Sequence, residues 1–345
     1  MKNLKDFSVV NKRVLVRCDF NVPLDNKGNI LEDFKIKKTI PTIKYLIDSR
    51  AKIILMSHLG DPQGKIIPAL KMDKVAEKLA DCLNITVGKE DDCVGPEIET
   101  QTNKLEGGRV LLLENVRFHI EETENNAEFA RQLSFLGDIY VNDAFGVCHR
   151  DQASVTRIPE FLPSCAGLLL DEEIEALDKV MKNPDKPMVA IIGGKKVETK
   201  AKFINNISKT ADCVIISGLI AKEVAEKNIK FDFPEKILSP SGELERLDID
   251  EESIKKFTEK ILQAKTILWN GPFGRFEDPQ YVKGTLAIAK AIINSGAFAV
   301  VGGGETVEFL NEQGIINTFS HVSTGGGAML SYLAGDKLPG IESLG

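Results

Sequence analysis

The feature that most restricts how this chain can fold is a recurring short apolar run rich in β-branched residues. It occurs at Arg13 to Arg17 (RVLVR), Lys52 to Met56 (KIILM), Arg109 to Leu113 (RVLLL), Asp138 to Val141 (DIYV), Met188 to Ile192 (MVAII), Cys213 to Ile216 (CVII), Thr266 to Trp269 (TILW) and Ala297 to Val301 (AFAVV). Each run is about one strand long. Helix-period segments lie between several of them: Met72, Val75, Ala76, Leu79, Ala80 and Leu83 fall on one helical face. Strands that are apolar on both faces and alternate with helices build parallel β-α-β units, so an α/β fold with parallel sheets is predicted.

A chain of 345 residues exceeds what one core usually serves, and the eight runs divide four and four around a weakly β-forming stretch, Ala166 to Lys186. The core of that stretch, EEIEALDKVMK, reads as a helix stopped by Pro184 and Pro187. Two α/β domains joined by a helix are expected, the first over residues 1–165, the connector over 166–186 and the second from 187. The charged segment Phe231 to Glu252 has little periodicity and is expected to be a loop or an eroded element.

With 43% hydrophobic and 28% charged residues the chain should fold. A formal net charge of -7 argues against a general nucleic-acid binder. No apolar run reaches membrane-helix length and the N-terminal residues lack a signal-peptide core, so a cytoplasmic location is expected and a membrane partner is not. Six widely spaced cysteines without a C-x-x-C pair, and four histidines, suggest neither a disulfide scaffold nor a zinc site; buried reduced thiols are expected.

In open parallel sheets ligands bind beyond the carboxyl ends of the strands. In the first half those ends carry Asp19 and Asn21 (CDFNVP), His58 (MSHLGDP), Asn115 and Arg117 (ENVRFH), and Asn142, Asp143, His149 and Arg150 (NDAFGVCHRD). In the second half they read GGKKVETK from Gly193, SGL at Ser217 to Leu219, NGPFGRFE from Asn270 and GGGET from Gly302. Glycines and helix N-termini suit a polyphosphate; hydrogen-bonding and cationic groups suit a small hydroxylated anion. GGKKVETK lacks the second glycine of a P-loop and GGGETV lacks the last glycine of a dinucleotide fingerprint, which disfavours both classes. Lys196 and Lys200, four apart, share a helical face if a helix starts there, and two cations so placed can hold a transferring phosphoryl group. Each polar residue also has a structural reading: His58 as a core histidine, Asp19 as a turn cap, Asn142 with Asp143 as loop ties. Arg117 and Arg150 are harder to read that way, because guanidinium forks at neighbouring strand ends give bidentate anion recognition.

KRVLVRCDFNVPL, IPTIKYL, MSHLGDPQGK, DDCVGPE, VLLLENVRFH, DIYVNDAFGVCHR, VAIIGGKKV, ILWNGPFGRFE, VVGGGETVEFL and HVSTGGGAML, in this order, resemble segments of phosphoglycerate kinases. The resemblance runs from about residue 10 to the C-terminus. It implies two Rossmann-like domains joined by a helix hinge, a nucleotide domain over 187–330, and a segment 331–345 returning to the first domain. It implies reversible transfer between 1,3-bisphosphoglycerate and ADP in glycolysis, by a cytoplasmic monomer that uses Mg2+. Carried over by motif, Asp19 and Asn21 bind the glycerate region of 3-phosphoglycerate, and His58, Arg117 and Arg150 hold its phosphate end. Lys200 stabilises the transferring group and Lys196 the ADP/ATP phosphates. Gly193, Gly194 and Gly218 line the nucleotide side, Glu277 accepts from the ribose, Asn270 touches the phosphates, and Gly303, Gly304, Glu305 and Thr306 supply backbone and metal-side contacts, with Glu305 at the metal. Closure about 166–186 then joins the substrates and excludes water.

Several positions depart from the family pattern. Lys35 stands at an arginine expected to act on the transition state and keeps the charge without the fork. Asp61 replaces a phosphate-binding arginine, a two-unit change at about 4 kcal/mol per unit at close range before screening. Gln152 replaces a histidine, Thr199 and Glu305 replace aspartates, ISGLIA replaces a glycine-rich adenine-side run, and the stretch between Lys222 and Asp248 is short. Two other readings follow from these changes: a catalytically weakened phosphoglycerate-kinase-like binding or regulatory protein, and a kinase for another small carboxylic acid.

Overall fold

The computed structural model describes all residues except Lys195, Lys196 and Glu245, together with the side chains of Glu198 and Thr199. The chain divides into two compact units, Met1–Glu172 with Lys337–Gly345, and Glu173–Asp336. Among the described residues each unit is built on one six-stranded parallel sheet.

The strands are β1 (Arg13–Arg17), β2 (Lys52–Met56), β3 (Val87–Lys89), β4 (Val110–Leu112), β5 (Ile139–Asn142) and β6 (Ser164–Ala166) in the first unit. The second holds β7 (Met188–Ile192), β8 (Cys213–Ile216), β9 (Ile237–Leu238), β10 (Thr266–Asn270), β11 (Phe298–Gly302) and β12 (His321–Val322). Their orders are β3-β4-β2-β1-β5-β6 and β12-β11-β10-β7-β8-β9. All eight predicted runs are strands; the four that the sequence reading lacks, β3, β6, β9 and β12, are the four sheet edges. Central strands are apolar on both faces because helices cover both. Val14, Leu15 and Val16 on β1 and Ile53, Ile54 and Leu55 on β2 are fully buried.

The helix Asp73–Leu83 buries Val75, Ala76, Leu79 and Leu83, the predicted stripe, and ends at Asn84 with φ 55°. Most of Phe231 to Glu252 is irregular, holding one short 3-10 turn and β9 before the helix Glu251–Leu262. In the connector the helix spans Leu168–Lys182. Its far part is tied within the second unit by Glu173, which accepts from Thr324 N (2.6 Å), Thr324 Oγ1 (2.7 Å) and His321 Nε2 (2.9 Å). Its first turn is tied within the first unit. Asp143 Oδ1, beyond the end of β5, accepts from Leu169 N (2.9 Å) and Leu170 N (3.2 Å). The last residues belong to the first unit as well, where Gly340 N donates to Cys148 O (2.9 Å) and Asn142 Nδ2 to Gly340 O (3.1 Å).

Burial pushes the Asp143 carboxyl up to about 7, only partly offset by hydrogen bonds from Thr42 and the two helix amides. The folded state thus holds a proton that the unfolded state releases near pH 4. Stability from this group is complete in acid and falls as pH rises from about 4 to about 7, by roughly 2–4 kcal/mol. Asp143→Asn keeps an acceptor for the helix amides and cannot titrate. Calorimetric unfolding at pH 5 and pH 7.5 should show wild type losing more stability than the variant; parallel pH profiles would contradict this.

Candidate active site

The first unit places its polar side chains where the parallel register brings strand ends level, with Arg17 opposite Met56 on one side and Asn142 on the other. Arg17 ends β1 and is fully buried, a residue the sequence reading took only as the boundary of an apolar run. The available signal was a charge at the carboxyl end of a central strand. Its Nε donates to Ser154 Oγ (2.7 Å), which donates to Glu122 Oε1 (2.6 Å), and Glu122 lies 3.8 Å from Arg17. Another Arg17 nitrogen lies 3.3 Å from His58 Nδ1. Because a guanidinium only donates, His58 Nδ1 accepts and Nε2 carries the proton. Burial, then the Arg17 charge, holds the His58 pKa well below its usual value, so His58 is a neutral donor at physiological pH.

Arg117 is buried at the turn Val116–Phe118 after β4. It donates to Gly60 O (2.8 Å) and Gln152 Oε1 (3.4 Å), both neutral acceptors. Burial, then Arg150 and Arg17, lowers its pKa to about 10. Arg150 is exposed, and among the described residues no carboxylate pairs with either Arg117 or Arg150. Arg117 Nε and His149 Nδ1 are buried without a partner among the described residues. Crowded guanidiniums and unused nitrogens fit an anion with several oxygens.

Lys35 Nζ lies 2.8 Å from Asp19 Oδ2. Burial alone would raise the Asp19 carboxyl, but Lys35, His58 and Arg17 outweigh it and hold it at about 2. Lys37 pairs with Asp33 and Lys38 with Glu172, so Lys35, Lys37 and Lys38 serve three different partners. Asn21 Oδ1 accepts from Gly60 N (2.9 Å), shaping the loop that holds Asp61. Asp61 is exposed and does not pair with Lys65, though its charge favours the protonated form of Arg117. Asn115 and Asn142 are structural: Asn115 binds Leu59, Leu70 and Arg117 backbone, and Asn142 binds Ala144 and Gly340.

In the second unit the turns after β7 and β10 cross so closely that a Cβ on Gly193 would lie 2.2 Å from Pro272 O, and one on Gly271 2.5 Å from the Gly193 carbonyl carbon. Gly193 N donates to Asn270 O and Gly194 N to Pro272 O. These glycines therefore serve the crossing, and their N–H groups are engaged within the fold. Thr306 is buried with its hydroxyl accepting from Gly271 N (2.8 Å), and Asn270 Nδ2 donates to Gly302 O (3.1 Å). Gly303, at φ 103°, starts the helix Gly304–Glu312.

Lys200, on the helix Val197–Ser208, is 93% buried and donates to Gly193 O. Its Nζ would lie 3.0 Å from a Cβ on Gly194, and Glu305 Oε2 4.0 Å from the same point, so a cation and a carboxylate converge on this glycine. Burial lowers the Lys200 pKa to about 8 against the opposing pull of Glu305. Lys196 lies outside the described residues. A cavity of about 480 Å³ opens beside these groups, with Gly194, Gly218, Glu277 and Glu305 in its wall and Leu219, Leu244, Phe273 and Phe276 offering apolar surface. That size and mixture suit a nucleotide.

A two-unit parallel α/β protein with crowded guanidiniums at the strand ends of one sheet and, on the other, a cavity of nucleotide size beside a buried lysine has the equipment of a phosphotransferase. The family model described as phosphoglycerate kinase matches residues 4–229 and 222–336. The chain belongs to the phosphoglycerate kinase family. It is 40% identical over 388 aligned positions to the phosphoglycerate kinase of Pelotomaculum thermopropionicum, covering 99% of this chain and 98% of that protein. It is 41% identical over 390 positions to that of Aquifex aeolicus, with the same coverage. The crystal structure from Pyrococcus horikoshii superposes with a TM-score of 0.89 at 31% identity, covering 100% of this chain and 98% of that one. The structure from Coxiella burnetii gives 0.82 at 32% identity, covering 99% and 98%. The family match breaks within 222–229, at the start of the segment the sequence marks as short.

The field at the acid site predicts its response to inorganic phosphate. Arg117→Gln should weaken binding about tenfold or more, the loss of a charge-assisted bond. Asp61→Asn, at an exposed position, should strengthen it about two- to fivefold. Titration calorimetry at low salt measures both; equal affinities in all three proteins would exclude this assignment.

Proposed function

We propose that this chain transfers a phosphoryl group reversibly between 1,3-bisphosphoglycerate and ADP, giving 3-phosphoglycerate and ATP. The observation that carries the reading is the group of arginines, Arg17, Arg117 and Arg150, in which neither Arg117 nor Arg150 meets a carboxylate, in a chain that matches the family along its length. Arg117, Arg150 and the Nε2–H of His58 hold the phosphate end of the acid. Asp19, ionised down to about pH 2, accepts from its hydroxyl, and Lys35 remains beside it as a shared cation. Asn21 and Asp61 border the same ligand through the Gly60 loop.

On the second unit, Lys200 neutralises the oxygens of the group in transit. Gly218 and the apolar side chains flank the base, and Glu277 lies where a carboxylate can accept from ribose. Glu305, exposed at the cavity, is the residue that would hold Mg2+. The fit rests on its oxygen chemistry and on the acidic field of Glu277, Glu305 and Glu312, which with burial raises the Glu308 carboxyl. Held by Glu305, the ion would supply positive charge against the nucleotide phosphates. In-line transfer relies on positioning and charge neutralisation rather than covalent chemistry, and this residue set supplies both. Bending at 166–186 would let the ligands meet. Six cysteines with no disulfide among the described residues fit a reducing cytoplasm, and with both ligand groups on one chain a monomer suffices.

In a coupled ATP-forming assay Lys200→Ala and Arg117→Ala should each lose at least about 10²-fold in turnover. Full turnover in both would remove the proposal. The kcat/KM for ADP should fall about tenfold per pH unit above pH ~8, as free Lys200 loses its proton. Lys200→Arg, with its higher pKa, should move that limb upward; an unmoved limb would assign it to another group. If Lys35→Arg with Asp61→Arg raises turnover by orders of magnitude, the chain is instead a weakened relative.

A further inference from the structure

We propose that Asp92, Cys93 and His119 form a binding site for a thiophilic divalent cation of the zinc class, separate from the kinase site. The three donor atoms lie within 4.8 Å of one another, the one such group of His, Cys and acidic side chains among the described residues. The sequence conceals it, because Asp92 and Cys93 follow β3, the edge strand absent from the sequence reading, while His119 follows β4. Pairing of β3 with β4, with Lys89 opposite Leu112, brings the two loops together.

The donors are held in place without a metal. Asp92 O accepts from Glu114 N (3.2 Å), which pins the loop to the end of β4. Asp92 Oδ1 accepts from Cys93 N (2.7 Å) and lies 2.7 Å from His119 Nε2. The His119 ring stacks on Phe129 with centroids 5.1 Å apart at 27°, which sets its plane. The mouth opens to solvent through Asp92, whose side chain is 52% exposed, and His119, 28% exposed; Cys93 lies buried at the base.

Sulfur, imidazole nitrogen and one carboxylate oxygen are a three-ligand set suited to Zn2+, with water in the fourth position; Mg2+ prefers oxygen throughout. Binding takes the Cys93 thiol proton to solvent as the metal–sulfur bond forms. The Nε2 proton moves to Nδ1 or to solvent as that nitrogen becomes a ligand, and nothing is oxidised or reduced. A thiolate and a carboxylate together balance the two charges of the ion, so the buried sulfur need not carry a bare charge. None of the three ligands belongs to the acid site, although His119 follows the turn that carries Arg117.

Co2+ titration of the reduced full-length chain, without nucleotide, tests this. One equivalent should give a thiolate-to-cobalt charge-transfer band that one equivalent of Zn2+ abolishes. Cys93→Ser should lose the band, His119→Gln, at a partly exposed position outside the core, should weaken binding about 10- to 100-fold, and Cys82→Ser should change nothing. Absence of the band in wild type, its persistence in Cys93→Ser, or unchanged affinity in His119→Gln would overturn the proposal. The ATP-forming assay is independent of all three outcomes, so failure here leaves the kinase reading standing.

Discussion

Parallel pairing is the constraint from which the rest of each unit follows. It levels the carboxyl ends of six strands at one edge, where backbone groups and polar side chains have no further strand to pair with and loops must turn into helices. Each sheet interior is closed to polar groups by helices on both faces. Arg17, His58 and Asp143 therefore sit at or just beyond strand ends in one unit, and Gly193, Ser217, Asn270 and Gly303 do so in the other. Chemistry is confined to these edges because nowhere else do several chain segments converge with polar groups to spare.

The two edges solve different electrostatic problems. The acid site crowds guanidiniums and leaves Arg117 bonded only to neutral oxygens, while Glu122 balances Arg17 from behind at 3.8 Å. That buried carboxylate and Ser154 fix the Arg17 fork, and the fork in turn fixes His58 as a neutral donor. Asp61 is less disruptive than its charge implies, because solvent screens an exposed carboxylate. The nucleotide edge instead relies on steric closeness: Gly193 and Gly271 cross where neither could carry a side chain, and Lys200 and Glu305 converge on the adjoining Gly194, at φ 78°.

How much of this was legible follows from burial. The eight strands found from sequence are the interior ones, whose two-sided apolarity is strong over four or five residues. The edge strands are two or three residues long, and β3 and β9 are only partly buried, so no apolar run marks them. Arg117, Arg150, His58 and Lys200 were legible as polar groups in the segments that follow apolar runs. Arg17 and Gln152 were not assigned roles, since each acts through a partner distant in the chain, as does the Asp92–His119 pair.

The amino-acid order alone determined the parallel α/β class, the division near the helix Leu168–Lys182, and which side chains lie at strand ends, because these depend on local hydrophobic period. Only the tertiary structure decided which of those groups keep free charge and which are used up inside the fold. Asp143 and Arg117 look alike in sequence, each a charge beyond a strand; one caps a helix and the other meets only neutral oxygens. That difference arises from neighbours supplied by remote segments, and from the dielectric those neighbours create, which no local pattern encodes.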